Sequence, residues 1–141
     1  MFSDELKELV NEFNKRGHMD YFEGATEEQI SKFEIDKGIK LPSEYRDWLK
    51  FSDGGELFLP SGIQFYGVAH KPVIDVDEND RPNDDFIVIG ALSTGDPILC
   101  KKNSERISIF NHEDGCIEDD ETYENLSSFL KDLPEILGIG G

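Results

Sequence analysis

The hydrophobic repeat changes period at Asp53-Gly54-Gly55, and that change constrains the fold more than any other feature of the chain. Before it, apolar residues recur three and four apart, as on one face of a helix; after it the spacing shortens toward the alternation of a strand. Phe2, Leu6, Leu9, Val10 and Phe13 predict an amphipathic helix over 3–16, with Ser3 placed to cap it and Gly17 to stop it. Thr26 followed by Gln29 is a capping-box pair, in which each side chain satisfies a backbone N–H that a helix start leaves unpaired. The helix it opens carries Ile30, Phe33 and Lys37 on neighbouring turns and ends at Gly38, which has no Cβ to oppose a left-handed cap. Leu41-Pro42-Ser43 then interrupts the chain, since proline cannot continue a helix, and the serine is expected to cap a third helix over 43–52. Tyr45, Trp48 and Leu49 face the core from that helix, with Trp48 as an anchor; Tyr21-Phe22 either staple the second helix or present an aromatic face.

Beyond the glycine pair, Ile63, Phe65 and Val68 alternate, Phe86–Ile89 is a continuous β-prone run, and Ile98–Lys102 and Arg106–Phe110 flank a turn at Asn103-Ser104-Glu105. These predict strands of an antiparallel sheet. Residues 70–85, with two prolines and abundant Asp and Asn, read as a surface loop with little to fill a core. A last helix over about 123–137 carries Leu126, Phe129, Leu130 and Leu133, kinked or ended by Pro134, before a frayed glycine-rich tail. The expected architecture is therefore α+β: N-terminal helices packed on a mainly antiparallel β-sheet with a C-terminal helix, rather than a βαβ dinucleotide-binding fold. No repeat or long linker divides residues 1–141, and a chain of 141 residues can bury a core without disulfide or metal.

Charge narrows the function. There are 31 acidic and 14 basic side chains, a net charge of −17, which disfavours contact with nucleic acid or anionic membrane and favours basic partners. Met1–Glu5 lacks the basic start of a secretory signal and no apolar run approaches the twenty or so residues of a membrane span, so a cytoplasmic setting is expected, with Cys100 and Cys116 reduced. Asp75-x-Asp77-x-Asn79 begins like a calcium loop, but Asp80 stands where the turn needs glycine and Phe86 where a bidentate Glu should be. A solvated acidic loop is the better reading. His18, His70 and His112 are scattered, and no Cys-x-x-Cys pair, phosphate-binding loop or nucleophile elbow occurs, so neither a metal, a cofactor nor an enzymatic activity is expected. The densest signal is residues 111–125, with seven acids and no base, joining the last strands to the last helix. Such a stretch is most often plain solubilising surface; the other reading is an anionic patch for a cationic protein, with Glu113, Asp114, Glu118, Asp119, Asp120 and Glu121 as candidate contacts and Asp75, Asp77, Glu78 and Asp80 second.

Taken together, Thr26-Glu27-Glu28-Gln29-Ile30, Phe33-Glu34, Gly38-Ile39-Lys40-Leu41-Pro42, Tyr45, Trp48-Leu49 and Asp53-Gly54-Gly55 resemble the signature of the SUKH superfamily, with Gly95-Asp96 and Leu126-Ser127-Ser128-Phe129-Leu130 similar to its C-terminal half. The superfamily includes a fungal cell-wall synthesis regulator and many bacterial immunity proteins. The resemblance implies an α+β domain with an antiparallel sheet and a bacterial immunity protein that binds a toxin domain and blocks its active site; the net charge adds the expectation that the target is basic, a nuclease or nucleic-acid deaminase. The runner-up is a regulatory or scaffold domain that recognises an endogenous protein. The acidic segments at 75–85 and 113–121 lie outside the shared pattern, so they are either where partner choice lies or neutral variation.

Overall fold

The computed structural model describes residues 4–59, 62–69, 73–74, 86–93, 95–101, 104–111, 113 and 115–137, the side chains of residues 59, 116 and 118–121 aside. In chain order the elements are α1 (Asp4–Arg16), β1 (His18–Asp20), α2 (Glu27–Lys37), α3 (Ser43–Phe51), β2 (Gly55–Leu59), β3 (Ile63–Phe65), β4 (Phe86–Leu92), β5 (Pro97–Lys101), β6 (Ile107–Asn111), β7 (Cys116–Tyr123) and α4 (Leu126–Ile136). The seven strands form one sheet in the order β1-β2-β3-β4-β5-β6-β7, and every neighbouring pair is antiparallel.

Strand alternation divides the apolar residues between two faces. Ile87, Ile89, Ile98, Cys100, Ile107 and Ile109 join Phe65 and the inward residues of the helices, Leu6, Phe13, Ile30, Tyr45, Trp48, Phe129 and Leu133, in the main core. Val88, Leu99 and Phe110 form a smaller cluster of their own, flanked by Tyr66, Phe86 and Ile117. Trp48 is fully buried, as the helical spacing predicts, and meets Phe65 edge-on at 5.4 Å. Tyr21 packs edge-on against Phe51 at 4.9 Å, so it braces α3 rather than α2, while the Phe22 N–H donates to Ser52 Oγ at 2.9 Å.

Several expectations are corrected. β1 and β2 carry no readable alternation: His18-Met19-Asp20 is short and polar, and on β2 the consecutive Leu57 and Phe58 are both buried. Phe58 manages this with φ of +58° beside a register shift between β1 and β2, which breaks the pleat. Residues 116–123, expected as a connection, form strand β7, and α4 starts three residues later than predicted, capped by Asn125. Pro134 lies inside α4, which ends two residues beyond it. Within 70–85, Ile74 is buried and its N–H donates to the Gly67 carbonyl at 2.9 Å, so part of that stretch does contribute to the core. Ser43 does not cap α3. Its own N–H and hydroxyl instead donate to the Glu105 carboxylate, 2.9 and 2.7 Å away, from the turn between β5 and β6. Ser3 and the tail at 138–141 lie outside the described residues.

Candidate functional site

The signature residues are engaged in holding the fold. Glu34 accepts from the Leu41 N–H at 2.7 Å and from Arg46 Nε at 3.2 Å, locking the α2–α3 corner that Gly38 opens with φ of +66°. Trp48 Nε1 and Ser52 Oγ both donate to the Gly54 carbonyl at 2.9 Å. Asp53, 1% exposed, receives the N–H of Val68 at 2.7 Å and of Ala69 at 2.9 Å, pinning the segment after β3 to the end of α3. Tyr45 donates to the Tyr66 carbonyl. Burial pushes the Tyr45 hydroxyl and the Cys100 thiol well above their ordinary values, so both stay protonated at neutral pH and Cys100 is no nucleophile. Among the described residues no group of three His, Cys, Asp or Glu side chains gathers as metal ligands.

Two surfaces remain. The first is β7, the terminal strand of the sheet, whose outer edge has no strand partner among the described residues. It pairs with β6 through Asn111 and Cys116, Phe110 and Ile117, Ser108 and Thr122, and Ile107 and Tyr123. Between Ser108 and Phe110 the register shifts: β6 advances two residues while β7 advances five, from Ile117 to Thr122. Glu118, Asp119, Asp120 and Glu121 therefore fall by their backbone in a bulge on an edge strand, a feature that deters pairing between like copies. Glu113 lies exposed in the turn that precedes β7, before the left-handed Gly115. The structure thus gathers Glu113 and the tetrad 118–121 onto one hairpin, while Asp114, Asp75, Asp77, Glu78 and Asp80 lie outside the described residues. Sequence reasoning found the acids but missed their strand, because a polar edge strand has no hydrophobic period.

The second surface was not anticipated. A cleft of about 480 Å³ is lined by Glu34, Lys40, Leu41, Ser43, Arg46 and Glu105, and a shallower one of about 510 Å³ adjoins it at Glu34 and Lys40, bordered by Ile35, Gly38 and Ile39. Ile35 is the large apolar side chain left exposed among the described residues, at 79%. Its place outside the Ile30 and Phe33 stripe was the signal available in the sequence.

Four helices on a seven-stranded antiparallel meander define an α+β domain. The chain belongs to the SMI1 / KNR4 family (SUKH-1), whose family model matches residues 24–132. No curated protein matches it in sequence. Membership fits an immunity or a regulatory role, and domains of this superfamily generally bind partner proteins and are generally non-enzymatic. Among the described residues no helix is long and apolar enough to cross a membrane.

Proposed function

We propose that this chain is a cytoplasmic immunity protein that binds a basic toxin domain, a nuclease or a nucleic-acid deaminase, and keeps substrate from its active site by occlusion. The observation that carries this is the acidic bulge of β7, four consecutive carboxylate residues on the open edge of the sheet in a molecule of net charge −17. An enzyme that holds nucleic acid needs a cationic cleft, and an anionic hairpin covering that cleft mimics the charge of the substrate it displaces. Asp75, Asp77, Glu78 and Asp80 supply a second anionic contact in this reading. Family membership supports protein binding, and the charge supports the sign of the partner.

Co-expression with the toxin-like product of a neighbouring gene tests it: cells survive with this chain and die without it. Replacing Glu118, Asp119 and Asp120 by lysine is expected to lower the association rate by about tenfold or more at low salt and to flatten its salt dependence. An unchanged rate removes β7 from the interface. Survival that depends instead on an unrelated protein, with this chain dispensable, returns the function to the regulatory branch of the family.

A further inference from the structure

A groove lies between α2, α3 and the β5–β6 turn, apart from β7 and independent of the reading of that strand. α2 turns Ile30 and Phe33 inward and leaves Ile35 in solvent. A β-branched side chain is only a moderate helix former, and here burial does not offset that preference. Ile35 borders the shallow cleft, which runs on past Ile39 and Lys40 into the deeper one over Leu41. The carboxylates that line this groove are engaged within the molecule: Glu34 with Arg46 and the Leu41 N–H, Glu105 with the first turn of α3. Lys40, common to both clefts, has no ion pair or hydrogen bond among the described residues. The groove therefore offers an apolar rim and an unmatched cation on a protein that is otherwise strongly anionic.

We propose that this groove binds an extended segment of a protein partner that sets an aliphatic side chain against Ile35 and a carboxylate against Lys40. Its charge preference is the reverse of that at β7, so the two surfaces select different partners and can be filled together. A segment rich in lysine is attracted to the whole molecule but finds no complement here. An acidic segment is repelled at long range, and any affinity it shows must come from the local site.

The probe is a short fluorescein-labelled peptide of alternating leucine and glutamate, titrated with the full chain and followed by anisotropy, with a leucine–lysine peptide as control. The acidic peptide is expected to bind and to perturb backbone amide resonances within 31–43 and 104–105. Ile35→Asp and Lys40→Glu should each weaken it about tenfold, with the fold retained because both side chains are exposed. Binding of the lysine peptide should not be weakened by either substitution. Absence of binding by the acidic peptide, or binding that both variants leave intact, overturns the proposal. The triple lysine variant of β7 should retain groove binding, so failure of the groove and failure of the toxin interface are read separately.

Discussion

Asp53 shows how much a single side chain can fix. Its carboxylate is almost wholly buried and accepts two charge-assisted hydrogen bonds from the part-buried N–H groups of Val68 and Ala69, so removing it takes away both ties at once. Asp53→Ala is expected to cost about 2–4 kcal/mol in urea unfolding, and Asn to recover only part of that, because its amide presents a donor where an acceptor is needed. A loss below about 1 kcal/mol would mean the segment after β3 finds other acceptors. Gly38→Ala should cost about 1 kcal/mol, since a side chain at φ of +66° is strained even though nothing stands within 4 Å of the Cβ. The two residues were unequally legible. Gly38 ends a helical pattern and declares itself; the partners of Asp53 are backbone amides, which leave no trace in residue identity. Gly24 was silent for the same reason: a Cβ there would come within 1.9 Å of the Lys50 carbonyl, a clash visible only once α3 is in place.

At the scale of elements, two helices are capped by carboxylates from far along the chain. Glu105 receives the first turn of α3, and Glu44, on α3, receives the Ser127 N–H at 3.2 Å and its hydroxyl at the start of α4. The caps couple the β5–β6 turn to α3 and α3 to α4, and Glu105→Ala should lower stability by about 1 kcal/mol while leaving the sheet intact, read by urea unfolding and by amide exchange in the first turn of α3. Helix ties also set an acid limb. Hydrogen bonds from Lys50 and Arg46 hold the Glu27 carboxyl below its ordinary value, and Ser127 and Lys131 do the same to Glu5. A carboxyl depressed in the folded state stabilises it above the unfolded value near 4.5 and loses that effect as pH falls through the lower folded value. Stability should therefore decline below about pH 4.5, and Glu27→Gln should make that decline shallower. The helices were legible because capping boxes, proline breaks and apolar stripes are local. β1, β2 and β7 were not, because each is specified by its neighbour: one by length alone, one by a broken pleat at Phe58, and one by ladder bonds under acidic side chains.

Across the whole molecule the excess of negative charge acts on stability and on binding with opposite sign. The native state draws acids together that the unfolded chain spreads apart, so at neutral pH it carries self-repulsion. Added salt screens that repulsion as the Debye length falls from about 30 Å at 0.01 M to about 8 Å at 0.15 M. It also weakens ion pairs such as Arg46 with Glu27, Lys50 with Glu27 and Lys131 with Glu5, but these are exposed contacts worth roughly 0–1 kcal/mol each. With 31 acidic against 14 basic side chains, like-charge contacts outnumber what these pairs can offset, and the thermal midpoint at pH 7 is expected to rise with sodium chloride over that range. On the proposed reading, association with a cationic toxin should slow over the same range, because the field that destabilises the free protein would also steer such a partner. Neutralising the β7 tetrad to Gln and Asn separates the two effects: the midpoint should rise at low salt, where the wild type suffers most, while the association rate falls. If the midpoint of the wild type falls with salt instead, the carboxylates of this protein are held by favourable pairings, and the outward field on which the toxin reading rests is weaker than the charge of the chain implies.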